Sequence, residues 1–352
     1  MRASRILIVA PAWIGDMVMA EPLVSLLTRR NPAAEIHVLA PPATEPLARR
    51  MAGVTQAHVL PVGHGELGLG RRYRVARALR QQRFDQAIVL PNTLKSALVP
   101  ALAGVRLRTG WHGEGRYGLL NDRRLDPRRH PLMVERFLAL GLPADSPLPS
   151  PLAAPALEVD EDNRARLQQE LELRTDGGVV ALCPGAEFGP AKRWPAAHYA
   201  EVARFAAGAG RQVWLLGSAG EADICERIRA LAPRSVNLAG RTRLLDAVDL
   251  LSAAEAVVCN DSGLMHVAGA VGVPVVAVFG STSPGFTPPL GCGARVVRLH
   301  LPCSPCFQRT CPLGHLRCLE ELSPARVIEA LPLAAARLDV CREGAGLRRD
   351  GP

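Results

Sequence analysis

Three short loops in this 352-residue chain combine residue types that can move protons and hold anions. The first is Pro11-Ala-Trp13-Ile14-Gly15-Asp16-Met17. A sugar hydroxyl is too weak an acid to lose its proton unaided. A carboxylate such as Asp16 can take that proton as the hydroxyl forms a new bond. Trp13 and Ile14 would partly desolvate Asp16 and strengthen it as a base. Gly15 would allow a tight turn before it. Asp16 equally suits the start of a helix, where an acid caps unpaired N–H groups. The second loop is Pro184-Gly-Ala-Glu-Phe-Gly-Pro-Ala-Lys192-Arg193-Trp194-Pro195. Its glycines let backbone N–H groups approach an anion, and Lys192 adds a point charge. A solvated Lys-Arg pair ahead of a helix is the plainer account. The third is Cys259-Asn260-Asp261-Ser262-Gly263-Leu264-Met265-His266. Ser262 and Gly263 place N–H groups and a positive dipole end where a phosphate could sit. His266 would reach the same anion, and Asp261 could accept from sugar hydroxyls. An N-cap followed by a satisfied histidine is the alternative for each residue taken singly.

Two more loops end neighbouring strands: Gly217-Ser-Ala-Gly-Glu221 and Gly240-Arg241-Thr242. Glu221 could accept from ribose hydroxyls, or could be an acid in the first turn of a helix. The Gly217–Glu221 loop is Gly-containing but is not G-x-G-x-x-G, and G-x-x-x-x-G-K-[ST] occurs nowhere, which argues against a nicotinamide enzyme and an ATPase. No strand-to-helix loop carries an Asp-x-Asp motif of the type that anchors a metal–diphosphate complex. The charge of a leaving diphosphate would then fall to Lys192, His266 and the helix end. No cofactor is required by these motifs. Cys303, Cys306, Cys311 and Cys318, with His315 among them, form a cluster. The first pair has zinc-knuckle spacing and the remaining gaps do not. A structural zinc and metal-free thiols are both open.

These loops need a scaffold, and the apolar pattern supplies one. Short apolar runs alternate with helical patterns, as in parallel sheets covered by helices on both faces. In the first half the strands read Arg5–Ala10, Glu35–Ala40, Gln56–Leu60, Gln86–Leu90 and Val105–Thr109. The helices between them read Met17–Arg30, Glu45–Met51, Arg71–Gln82 and Leu94–Ala103, and Met133–Leu140 closes the half. A proline-rich stretch, 141–155, reads as a linker. A charged helix, Val159–Leu173, follows. The strands then restart with Gly178–Cys183, Gln212–Leu216, Ser235–Ala239, Ala256–Asn260 and Pro274–Gly280. The helices between these read Ala196–Gly208, Glu221–Ala232, Leu244–Ala253 and Leu264–Val271. Two doubly wound α/β domains follow, 1–155 and 156–323, with a tail 324–352. Ligands bind such sheets at the carboxyl ends of strands, which is where all five loops lie. Two such domains facing each other would line one central cleft.

Apolar residues make up 48% and aromatics 4%, so the cores must be aliphatic. Net charge is +9, mostly from arginine, which fits either a base-composition bias or an anionic partner. The N-terminus lacks a signal-peptide pattern, and no stretch approaches the roughly 20 apolar residues of a membrane span. The expectation is a cytoplasmic protein, or one lying on the inner face of a membrane, with nine cysteines as thiols or ligands rather than disulfides.

Three segments in this order, R-I-L-I-V-x-P-x-W-I-G-D-M, P-G-A-x-x-G-P-A-K-R-W-P and N-D-S-G-L-M-H-V-A-G-A, resemble glycosyltransferase family 9, the lipopolysaccharide heptosyltransferases. The likeness runs from Arg5 to about Leu322. The W-I-G-D-M and P-A-K-R-W-P wording is nearer to type II of the family than to type I. The resemblance implies a GT-B fold, with acceptor on the first Rossmann-like domain and donor on the second. It implies ADP-L-glycero-D-manno-heptose as donor, heptosyl-Kdo2-lipid A as acceptor, and inversion by direct displacement. Asp16 matches the family's catalytic aspartate. Lys192, Asp261, Ser262, Gly263, Met265 and His266 match its donor residues, and Glu221 and Thr242 match by position. Trp13, Gly15, Arg116, Arg123 and Arg124 fall on the acceptor side. The acceptor is anionic and sits in the inner leaflet. The arginines of 106–129 would give transient contact with that membrane surface, and no nucleic acid is called for. A solvated loop explains the same arginines. A closing helix that returns to the first domain is also implied, with Pro324–Leu338 as candidate. Two further readings stand beside transfer. One is a sugar-nucleotide epimerase, which would turn over donor without acceptor. The other is a non-catalytic nucleotide-sugar or metal-sensing protein, which would survive Asp16→Ala and fail with Cys303→Ser.

Overall fold

The protein, seen here as a computed structural model, is described at residues 4–63 and 65–333. It divides into two compact units, Met1–Glu158 and Val159–Pro352. The division falls where the linker's backbone changes allegiance. Ala156 N donates to Glu21 Oε2 at 3.0 Å and Glu158 N to Arg50 O at 2.7 Å, both in the first unit. Asp160 N donates instead to Asp249 Oδ1, at 2.9 Å, in the second.

The first unit contains strands β1 (Arg5–Val9), β2 (Glu35–Ala40), β3 (Val54–Val59), β4 (Gln86–Val89), β5 (Leu107–Trp111) and β6 (Asp122–Arg124). Its helices are α1 (Ile14–Met19), α2 (Glu21–Arg30), α3 (Glu45–Ala48), α4 (Leu69–Arg80), α5 (Leu94–Leu102) and α6 (Met133–Leu140). The sheet is parallel throughout, in the order β3-β2-β1-β4-β5-β6. The single helix expected over Met17–Arg30 is two. Pro22 has no N–H to give and its ring clashes with the turn before it, so the chain breaks at Ala20 and restarts. Strand β5 lies two residues later than the apolar pattern suggests, and β6 carries no apolar run at all.

The second unit repeats the plan with β7 (Val179–Cys183), β8 (Gln212–Leu215), β9 (Ser235–Asn237), β10 (Ala256–Asn260), β11 (Val275–Phe279) and β12 (Arg295–Arg298). Helices α7 (Glu161–Glu170), α8 (Ala196–Gly208), α9 (Ala222–Leu231), α10 (Leu244–Leu251), α11 (Gly263–Ala270), α12 (Arg317–Glu320) and α13 (Pro324–Glu329) complete it. The order is β12-β11-β10-β7-β8-β9, again all parallel. Read from its own first strand this is the same 3-2-1-4-5-6 winding as the first unit. Strands β7, β10 and β11 are buried along their whole length, as expected of central parallel strands covered on both faces. The core of this unit is aliphatic apart from Trp194, Tyr199, Trp214 and Phe279. Helix α13 packs on α8, and its Val327 lies in the core of the second unit. The described part of the candidate closing segment thus belongs to its own unit, and residues 334–338 fall outside the described residues.

Candidate functional site

In a 3-2-1-4-5-6 sheet the connections leave in opposite directions from the first and fourth strands, and a crevice opens at their carboxyl ends. In the first unit those strands are β1 and β4. A cavity of about 440 Å³ lies there, lined by Trp13 and Asp16 after β1, Asn92 and Thr93 after β4, and Arg72 and Lys95. Asp16 is half-buried, in the first turn of α1. It does not cap the helix: the N-cap is Trp13, and no side chain caps there. Gly15 lies inside α1 rather than in a turn ahead of it, because the helix already begins at Ile14. Arg72 is held by Leu67 O at 2.7 Å and Lys95 O at 3.0 Å. Neither Lys95 nor Arg72 stands out in sequence, since both sit in ordinary amphipathic helix patterns.

The acceptor-side arginines fare differently. Arg116 is 1% exposed and is spent on the backbone, donating to Pro91 O at 2.7 Å and to Trp111 O. Burial also lowers its pKa, opposed by Glu114. It is a structural post that satisfies carbonyls at the ends of β4 and β5, not a surface cation. Arg124 pairs with Asp122 at 3.0 Å and donates to Leu142 O. Arg123 stacks on Tyr117. Arg108 donates to three carbonyls, of Leu119, Val105 and Gly118. Arg129 pairs with Asp145 and Asp126. Arg123, Arg124 and Arg129 do line a second cavity, of about 590 Å³, but Asp126 and Asp145 line it too.

The crevice strands of the second unit are β7 and β10, and the two sharpest sequence loops leave from them. Lys192 Nζ sits 2.6 Å from Asp261 Oδ2, with the side chains only 14% and 5% exposed. Thr282, in the loop after β11, donates its hydroxyl to the same Oδ2 at 2.5 Å. Asn260, at the end of β10 and fully buried, fastens the two loops together. Its Oδ1 accepts from Trp194 N at 3.0 Å, and its Nδ2 donates to Pro184 O at 2.7 Å and Gly185 O at 3.3 Å. Asn260 and Thr282 were not assigned roles from sequence, since their partners lie in other loops. Pro195 is the N-cap of α8.

Ser262 is the N-cap of α11 and makes no side-chain cap bond. His266 is buried, and burial pushes its pKa down to about 4, with Asp261 opposing and Lys192 adding to the fall. Burial thus favours the neutral imidazole near pH 7. Its Nδ1 is buried with no hydrogen-bond partner among the described residues. Met265 is fully buried. Glu221 spends Oε2 on a capping box with Ser218, at 2.7 Å to its N–H and 3.0 Å to its hydroxyl. Its other oxygen lies over Gly185, where any β-carbon would collide with it. Thr242 is half-buried ahead of α10.

The cysteine loop braces this site. Ala191 N donates to Arg309 O at 3.1 Å, and a β-carbon at Gly189 would collide with the same carbonyl. Phe307 N donates to Ser281 O at 2.7 Å, and Ser304 Oγ to Gly280 O at 2.7 Å. Backbone N–H groups, Leu316 foremost, pull the Cys311 thiol below its usual pKa, and burial pushes Cys318 above it. Among the described residues no group of three or more His, Cys, Asp or Glu side chains is arranged to hold a metal ion. Seven described cysteines are free thiols, and Cys292 is disulfide-bonded, against the expectation of thiols or ligands.

Residues 72–317 match glycosyltransferase family 9 (heptosyltransferase). The chain belongs to this family. Lipopolysaccharide heptosyltransferase 2 of Salmonella typhimurium is 45% identical over 93% of this chain and 97% of its own. Lipooligosaccharide heptosyltransferase 2 of Haemophilus influenzae is 45% identical over 84% and 88%. The solved structure of E. coli ADP-heptose lps heptosyltransferase II superposes with a TM-score of 0.83 at 43% identity, covering 93% of this chain and 97% of that one. This heptosyltransferase has the α/β architecture of two parallel sheets that the motifs implied. No helix among its described residues is long and apolar enough to cross a membrane.

Proposed function

We propose that this heptosyltransferase moves L-glycero-D-manno-heptose from its ADP-activated form to the heptosyl-Kdo2-lipid A inner core of lipopolysaccharide, on the cytoplasmic face of the inner membrane, with Asp16 as general base. The observation that carries the reading is the position of Asp16: half-buried in the wall of a cavity, at the crevice of the first unit, which the cationic side chain of Lys95 also lines. A neutral acceptor would need no such cation, whereas an acidic sugar chain would. The high identity to proteins named heptosyltransferase 2, over nearly the full chain, favours type II.

In the reaction the acceptor hydroxyl oxygen attacks the anomeric carbon, and the bond from that carbon to the diphosphate breaks with its electron pair leaving on ADP. Asp16 takes the hydroxyl proton, and direct displacement inverts the centre. Lys192, held by Asp261, is the cation available to the diphosphate, and the N–H groups opening α11 add to it. Asp261 would accept from heptose hydroxyls. Neutral His266 serves as a hydrogen-bonding group rather than a charge.

The test is Asp16→Ala, assayed by weighing the products formed from ADP-heptose and heptosyl-Kdo2-lipid A. Turnover is expected to fall at least ~10²-fold, with donor affinity nearly unchanged. Loss of donor binding, with turnover of the bound donor preserved, would contradict the role of Asp16. Donor consumption without acceptor would favour the epimerase reading.

A further inference from the structure

Helix α4 (Leu69–Arg80) carries five arginines and no acid in its 12 residues. Two of them are spent within the fold: Arg72 on the carbonyls of Leu67 and Lys95, and Arg71 on Glu66. Arg74, Arg77 and Arg80 are exposed and have no side-chain hydrogen bond or ion pair among the described residues. Arg72, Ala76 and Leu79 form the buried face of the helix, and α4 packs on α5. Leu69, Tyr73, Arg77 and Arg80 fall at i, i+4, i+8 and i+11, so they share one outward side. Leu69 is 57% exposed and Tyr73 59%, and Leu67, just before the helix, is 49% exposed. Single exposed apolar residues need no explanation. Here three of them cluster beside three unpaired guanidiniums, which is the pattern of a basic amphipathic surface. The arginines of 106–129, favoured by charge count alone, are by contrast largely paired or spent on carbonyls. The loop leading into α4, with Val62, Gly63 and Gly65, and Arg72 itself also line the Asp16 cavity.

We infer that the outward side of α4 docks on an anionic membrane. Leu67, Leu69 and Tyr73 enter the headgroup–acyl boundary, and Arg74, Arg77 and Arg80 pair with lipid phosphates. A lipid-borne acceptor then arrives next to the cavity that holds Asp16. That last consequence rests on the acceptor reading above; the docking itself does not.

The experiment measures co-sedimentation of the full-length protein with vesicles of phosphatidylethanolamine and phosphatidylglycerol, with neither donor nor acceptor present. A basic residue near an anionic surface is worth about 1 kcal/mol, or about fivefold. The triple variant R74Q/R77Q/R80Q should therefore bind roughly a hundredfold more weakly, and the difference should shrink at high salt. L69S/Y73S should weaken binding at low and high salt alike. R227Q/R234Q, with two exposed arginines of the second unit, should bind as wild type. Thermal stability and turnover on a deacylated, soluble acceptor should be unchanged in all three. Binding by R74Q/R77Q/R80Q within threefold of wild type overturns the inference. So does equal weakening in R227Q/R234Q, or release of the wild type from vesicles by inorganic phosphate at a few millimolar. A wild-type protein that docks on vesicles yet fails to extend the soluble acceptor would sink the proposed function and leave the docking surface standing.

Discussion

Removing Asn260 should unfasten the donor loops, and the structure gives the size of the effect. The residue is fully buried and bridges the loop after β10 to the Lys192 loop through Trp194 N and the carbonyls of Pro184 and Gly185. Trp194 is itself fully buried and its indole is pinned to Leu322 O at 3.0 Å, so its backbone cannot easily turn to water. Asn260→Ala leaves one buried N–H and at least one buried carbonyl without partners. Each such group costs about 1–3 kcal/mol, so the loss should be about 2–5 kcal/mol. For a unit of this size that is a fall in Tm of roughly 5–15 °C. The functional consequence is separate. Lys192 and Asp261 would still attract each other, but the loop would populate the competent arrangement less. If that fraction drops to about a tenth, the apparent Kd for ADP-heptose rises about tenfold. Differential scanning calorimetry reads the first effect and isothermal titration below the new Tm the second. A lowered Tm with unchanged donor affinity would show that Asn260 only supports the fold. An unchanged Tm would refute the hydrogen-bond accounting itself.

Thr282→Val keeps the side-chain shape and removes the donor to Asp261 Oδ2; a bond to a charged acceptor is worth about 1.5–3 kcal/mol, so donor KM should rise roughly tenfold or more while kcat changes less. Gly185→Ala places a β-carbon where Glu221 Oε1 sits, and should force that carboxylate out of its capping box, lowering both Tm and donor affinity. His266 is neutral in the folded state down to about pH 4, whereas the unfolded chain protonates it near pH 6.5. Between those values the unfolded state binds the extra proton, so stability should fall as pH drops from about 6.5 toward 4 and level off below. His37 and His58, stacked on each other and likewise shifted down mainly by burial, act in the same sense. Chemical denaturation across that range, compared with His266→Gln, should show a shallower acid loss in the variant; identical slopes would assign the effect elsewhere.

What was legible in sequence was whatever the local pattern had to obey. Central strands such as β7, β10 and β11 must be apolar on both faces, and they read plainly. Edge strands need only backbone pairing. Asp122–Arg124 therefore left no apolar trace, and Arg295–Arg298 left only Val296 and Val297 between two arginines, too short a run to read as a strand. Charge counting failed for a related reason. It records that Arg116 is a cation but not that the fold brings the carbonyls of Pro91 and Trp111 within its reach, and those two acceptors hold the guanidinium inside. The roles of Asn260 and Thr282 consist of bonds to loops distant in the chain, so no window around them could show those roles.

The repeated winding explains where the chemistry lies. In each unit the first and fourth strands are neighbours whose following segments diverge, and only there does a crevice open without further construction. Asp16 and Lys95 follow that pair in the first unit, and Lys192 and Asp261 follow it in the second. Glu221 and Thr242 follow the second and third strands, off to one side, where a side chain must lean back to take part. Glu221 does lean back, over Gly185, and Gly185 has no β-carbon to block it. A bulkier residue at 185 would close that route while leaving every other motif residue in place, so this single glycine tests whether Glu221 belongs to the site or only to the helix it begins.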